Sequence, residues 1–135
     1  MSEPVISLAQ TPVHLGLDAT VVVLPPFTGD MSWYEAYGAA HDGDGKEGRL
    51  VSLHTFDESW DQWEVHPQGH ELVLCLTGRL RLHQEHPDGS TAEVTIGPGE
   101  AVINEPGVWH TADVVEGPAQ ALFITAGLGT EGRPR

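Results

Sequence analysis

The segment Glu64-Val65-His66-Pro67-Gln68-Gly69-His70-Glu71 packs two carboxylates and two imidazoles around one tight turn. Some forty residues later, Asn104-Glu105-Pro106-Gly107-Val108-Trp109-His110 brings another imidazole to a strand end beside a second turn. On an extended strand Glu64 and His66 are i and i+2, so they project from one face. Glu71 opens the following strand, across a turn short enough to keep it beside His66. Carboxylates and imidazoles that converge from separate strands are how a chain holds a divalent transition metal. Imidazole suits Zn, Fe, Ni and Cu, and carboxylate tilts the choice towards Fe, Mn or Zn. Taken singly, each histidine reads as a surface or satisfied core residue, and Glu64 and Glu71 read as solvated strand ends. Their joint spacing is what points to a site.

The elements that must position these groups are short strands. Sixteen glycines and ten prolines in 135 residues are more punctuation than helices tolerate, whereas strands joined by tight turns require it. Val21–Leu24 is strand-like and is stopped by Pro25-Pro26. Met31–Ala40 is the one short helix, and Asp42–Gly48 is a loop. Strands follow at Leu50–Phe56, Gln62–His66, Glu71–Thr77, Arg79–His86, Thr91–Ile96, Ala101–Asn104, Trp109–Val115 and Ala119–Thr125. Pro87-Asp88-Gly89 marks a hairpin, and Gly97-Pro98-Gly99 and Pro106-Gly107 mark further turns. Short strands at this spacing predict an antiparallel sandwich or barrel. Residues 1–48 are expected to form an N-terminal arm with a first strand and the helix, 49–126 the barrel core, and 127–135 a tail.

Composition narrows the partners. Six basic residues face twenty acidic ones, for a net charge of −14, and Arg133 and Arg135 are two of the six. Phosphates and anionic lipid surfaces are bound by clustered Lys and Arg, so neither nucleic acid nor a membrane is expected as a partner. No apolar run approaches the ~20 residues of a spanning helix. The opening residues MSEPVISLAQTP have neither the basic nor the apolar region of a secretion signal. With a single cysteine, Cys75, no internal disulfide can form, and the expected setting is the reducing cytoplasm. Asp42-Gly43-Asp44-Gly45-Lys46-Glu47 begins like a calcium loop, but its twelfth position is Leu53 rather than Glu. Gly127-Leu128-Gly129-Thr130-Glu131-Gly132 imitates a dinucleotide-binding turn, but no helix follows to receive the phosphates.

The two segments resemble the conserved motifs of the cupins, small jelly-roll β-barrels. His66, Glu71 and Gly78 reproduce the H-x4-E-x6-G part of the first motif, and Gly99, Gly107 and His110 fall at the positions of the second. The resemblance runs from about Leu50 to Thr125. It departs at Glu64, which stands where the first motif has its leading His, and at Glu58, which stands for that motif's first Gly. It departs again at Glu105 and Val114, which replace the second motif's Pro and Asn.

The resemblance implies an all-β cupin-type jelly-roll β-barrel of antiparallel strands with an N-terminal arm and at most one short helix, paired as a homodimer through the arm and outer sheet faces. It implies one divalent transition metal (Fe, Mn, Zn or Ni) held by His66, Glu71 and His110, with Glu64 or His70 as the fourth ligand. His54, His70, Cys75 and Asn104 are expected to line the pocket, Cys75 as packing rather than as a nucleophile. Trp109 should face away from His110, and Trp33, Trp60 and Trp63 read as core or interface aromatics. A small mononuclear metalloenzyme follows, acting on a small molecule in the barrel, with dioxygenase, isomerase and cyclase chemistry all compatible. A carboxylate not used as a ligand, Glu64 or Glu105, would serve as general base. A barrel that binds or senses a small ligand without catalysis fits the same residues.

Overall fold

The computed structural model describes residues 5–135. Its strands are β1 (Val13–Leu15), β2 (Val21–Val23), β3 (Arg49–Phe56), β4 (Gln62–Val65), β5 (Glu71–Glu85), β6 (Thr91–Ile96), β7 (Ala101–Asn104), β8 (Trp109–Thr125) and β9 (Glu131–Pro134). The α-helix α1 (Met31–His41) lies between β2 and β3. Asp30 caps it, its carboxylate accepting from the Trp33 amide at 3.1 Å. The helix buries only Trp33.

All strand pairings are antiparallel, and β5 and β8 organise them. The first half of β5 runs between β7 and the second half of β8, which continues through β3 and β1 to β2. The second half of β5 runs between β6 and the first half of β8, which continues through β4 to β9. The two long strands thus pass from one layer to the other, and the layers form a jelly-roll β-barrel whose hydrogen-bonded ladder is not closed. This is the expected all-β fold with one short helix.

Three details differ from the sequence reading, the first being a 3-10 helix over Asp42–Glu47 where a loop is expected. Glu71–Thr77 and Arg79–His86 are one strand, as are Trp109–Val115 and Ala119–Thr125. Gly78 and the Gly117-Pro118 pair mark bends within strands, not breaks between them. Ladder register slips between Cys75 and Leu80, and Gly78 adopts φ +72 at that bend. The bulge turns the strand into the second layer. The last residues, read as a tail, include β9, which pairs with β4 along its length.

The core follows the period-2 alternation of the long strands. Val73 and Cys75, then Leu80 and Leu82, point inward and meet Ile96, Ala112, Ala119, Ala121 and Phe123. Phe56 and Trp60 pack against the same cluster.

Candidate metal centre

Cross-strand register assembles the site. Glu64 on β4 is directly opposite His110 on β8. Glu71, the first residue of β5, is flanked by Asn104 on β7 and Thr125 on β8. His66 follows the end of β4. Side chains of directly paired residues share a sheet face, so these ladders deliver the groups to one place. Ligand-capable atoms of Glu64, His66 and His110 all lie within 4.8 Å of one another. Glu71 spans the two imidazoles: Oε2 is 3.1 Å from His66 Nε2, and Oε1 is 3.1 Å from His110 Nε2. Glu64 Oε2 is 3.8 Å from His66 Nε2.

Each group is held from behind. Glu71 accepts from Asn104 Nδ2 at 3.0 Å and from Thr125 Oγ1 at 2.7 Å, and Gln84 Nε2 in turn donates to Asn104 Oδ1 at 2.8 Å. His110 Nδ1 lies 3.2 Å from the Val108 carbonyl, which can only accept. His66 Nδ1 lies 2.8 Å from Thr130 Oγ1, whose own proton goes to the Gly127 carbonyl at 2.7 Å. Both Nδ1 atoms are therefore assigned the proton, which leaves both Nε2 atoms with a bare lone pair. Those two atoms are buried and make no hydrogen bond: the Glu71 oxygens are near enough but lie off the line of the ring nitrogens.

Two nitrogen lone pairs facing an ionised carboxylate call for a cation between them. A proton can serve. Burial works against a charged His110, but the neighbouring Glu71 outweighs it and raises the His110 pKa. Burial would likewise raise the Glu71 pKa, yet the two imidazoles hold that carboxyl well below the ordinary carboxylate range. Burial, and then the charge of Glu71, push Glu64 up. A metal ion also fits, since donors about 2.1 Å from a tetrahedral ion sit about 3–3.5 Å apart. The two 3.1 Å separations fall within that span and the 3.8 Å separation lies just above it.

The other expected pocket residues separate. His54 lies on the cavity wall with Phe27 and Phe123 as ring neighbours. Asn104 does not line the cavity; it stands behind Glu71. Cys75 is in the core, its Sγ 3.3 Å from the Thr77 carbonyl, and burial raises its thiol pKa. His70 is exposed and lines no part of the cavity, because alternation turns it away from its neighbour Glu71. Glu105 is also exposed. Trp109 faces the Arg133 guanidinium, 4.5 Å from the ring centre, and Trp63 meets it at 5.1 Å.

The sequence reading missed Thr125, Gln84 and Thr130, whose roles depend on pairings distant in sequence. It also missed a second polar cluster. His14 is buried, with Nδ1 2.7 Å from Tyr37 Oη and Nε2 2.7 Å from Asp44 Oδ2, and His41 stacks on its ring at 4.2 Å. These partners occupy both His14 nitrogens and fasten the loop after α1 to β1.

A cavity of about 1030 Å³ runs from Glu64, His66 and Glu71 to α1 and the His14 cluster. Phe27, Tyr34, His54, Phe56, Trp60 and Phe123 line it. Burial, and then the charge of Glu64, push the Tyr34 hydroxyl up to about 12.

Nothing among curated proteins matches the chain. Oxalate decarboxylase from Bacillus subtilis aligns at TM-score 0.55 and 16% identity, over 64% of this chain and 23% of that one. Hydroquinone 1,2-dioxygenase from Sphingomonas sp. TTNP3 aligns at TM-score 0.48 and 14% identity, over 57% and 59%. A protein of unknown function from Rhizobium leguminosarum aligns at 0.46 and 26% identity, over 57% and 68%. The chain thus spans about a quarter of the decarboxylase and under two thirds of the dioxygenase. The sequence profile of the cupin domain matches residues 54–125, just over half of the chain, and includes the end of β3, all of β4 to β8 and the whole His66–Glu71–His110 group. The chain belongs to the cupin family.

Proposed function

We propose that this cupin is a small mononuclear metalloenzyme that acts on a small molecule inside the barrel. His66, His110, Glu71 and Glu64 would hold one divalent transition metal (Fe, Mn, Zn or Ni), and the supporting observation is the pair of buried, unpartnered Nε2 atoms facing Glu71. Such an ion would supply Lewis-acid activation or an oxygen- and substrate-binding platform. The chain's own residues do the rest. Asn104 and Thr125 orient Glu71, Thr130 and the Val108 carbonyl orient the imidazoles, and the aromatic wall keeps water from the bound molecule. Glu64, half-exposed towards the cavity and with a raised pKa, is the carboxylate best placed to move a proton if it is released from the metal.

Homodimerisation is part of the proposal. β2 is an edge strand whose three valines are all exposed, the kind of edge that a second copy covers. Among the described residues no helix is long and apolar enough to cross a membrane. A cytoplasmic setting suits a lone buried cysteine.

Elemental analysis of untagged protein tests the centre. One equivalent of metal per chain is expected, lost in the His66→Ala/His110→Ala variant and kept in His41→Ala, because His14 and Asp44 already satisfy each other. A folded protein that takes up no metal after reconstitution would sink the metalloenzyme reading and leave a ligand-binding barrel.

A further inference from the structure

The cavity wall has an unusual charge pattern. Among the described residues, seven carboxylate side chains line it and no lysine or arginine does. Glu58, Asp61 and Glu131 are exposed at its edge, close in the fold to Trp60 because β9 pairs with β4.

Arg49 on β3 has no ion pair among the described residues, but the wall takes the alternate residues Leu50, Ser52, His54 and Phe56 and not Arg49, and the other four arginines are engaged elsewhere. Arg79 pairs with Glu116, Arg81 with Glu93, Arg133 with Glu85, and Arg135 with Asp113. Two histidines of the wall, His54 and His41, do not replace them. Burial lowers the pKa of His54, and burial followed by the charge of His14 lowers that of His41.

The apolar part of the wall is a chain of rings. Tyr34 meets Phe27 at 5.8 Å, Phe27 meets His54 at 5.0 Å, His54 meets Phe123 at 5.7 Å, and Phe123 meets Trp60 at 6.0 Å. Trp60 lies 6.4 Å from the His110 ring. Aromatic faces carry negative potential and attract cations, most strongly where water is excluded. His66, buried and with Nε2 unpartnered, stands at the inner end of the cavity, so the space leads to a group still short of a partner.

We propose that the ligand of this cavity is a small organic cation, a protonated or quaternary amine on an aromatic body. The rings from Tyr34 to Trp60 receive the body, and their faces together with Glu58, Asp61 and Glu131 meet the charge. The inference rests on the ligand-binding part of the function proposed above and names its substrate class. A divalent ion held by both Glu64 and Glu71 would bring no net positive charge to the wall, so the preference for cations holds with or without metal.

The test is a calorimetric titration of the full chain with four probes of one shape: benzyltrimethylammonium, benzylamine, benzyl alcohol and benzoate. Each is run on the metal-loaded protein and on protein stripped with a chelator, with metal content measured in parallel. The two cations are expected to bind about tenfold tighter than the alcohol, and benzoate weakest. The order should persist in stripped protein, and the gap should shrink to about threefold or less in a Glu58→Gln/Asp61→Asn/Glu131→Gln variant. Benzoate binding as tightly as the amines, or no probe binding at millimolar concentration, overturns the inference whatever the metal content. Absence of metal with the cation order intact overturns only the metal centre.

Discussion

Thr130 Oγ1 lies 2.8 Å from His66 Nδ1, and its own proton is already committed to the Gly127 carbonyl at 2.7 Å. The hydroxyl can therefore only accept from the ring, and it fixes the tautomer that leaves Nε2 free. Thr130→Val removes this acceptor while keeping the shape of the side chain. Metal affinity, read by competition with a chelator, is expected to fall about 10- to 100-fold, and Thr130→Ser should restore most of it. An unchanged affinity in Thr130→Val would show that Thr130 has no part in setting the ring.

Glu71 depends on donors from both sides. A buried carboxylate that loses one leaves an acceptor unsatisfied, at a cost of about 1–3 kcal/mol. Thr125→Val is expected to destabilise the metal-free protein by that amount in urea unfolding. The variant keeps the volume and the β-branching, so a cavity or a loss of strand propensity would not explain the result. A change below about 0.5 kcal/mol would mean that Asn104 alone satisfies the carboxylate.

These contacts show why only part of the site was legible in the sequence. Glu64, His66 and Glu71 lie within one turn and its flanking strands, where period-2 alternation is a local rule. His110 was reachable because its own turn, Pro106-Gly107, is written in the chain. Thr125 and Asn104 reach Glu71 only through ladders between residues 54 and 33 positions apart, and Thr130 reaches His66 through the β4–β9 pairing. Nothing near these residues announces a partner that far away. His70 shows the reverse case: its type suits a ligand, but its neighbour Glu71 takes the inward position and leaves it exposed. Most strands were legible for the same local reason; the exceptions are the two long strands, where an internal glycine looked like an end, and β9, whose strand character comes from its pairing with β4.

Asp113 sets an acid limit on stability. A hydrogen bond from His83 at 2.7 Å holds its carboxyl below the ordinary value; partial burial opposes this, and Arg135 adds to it. A folded-state pKa below the unfolded one contributes stability that is present above the unfolded pKa. That stability is lost as pH falls through the folded pKa. The contribution of Asp113 to the melting temperature is thus expected to be lost as the pH falls below the unfolded value of about 4. Asp113→Asn should lie below wild type at pH 7 and converge on it at the acid end, in melting curves recorded across that range. A gap of constant size at every pH would show that the substitution acts through packing instead of charge.

Gly78 is the residue on which the passage of β5 between layers turns. A Cβ built there would lie 2.5 Å from the Glu116 carbonyl oxygen, 2.6 Å from that of Pro118 and 2.7 Å from Ala119 Cα. All three are backbone atoms of β8, so no flexible side chain can yield. The φ of +72 adds about 1 kcal/mol for any L side chain. Gly78→Ala is expected to cost well over that, because β8 must shift away from β5 just where the two strands bend together. The same bend seats Cys75, Ala119 and Ala121 in the core, so the loss should appear as weakened core packing and a lower unfolding midpoint. Gly89→Ala is the control, since it also has positive φ but its Cβ would meet nothing within 4 Å. If the two variants lose equal stability, backbone conformation alone accounts for Gly78 and the close approach of β8 contributes nothing.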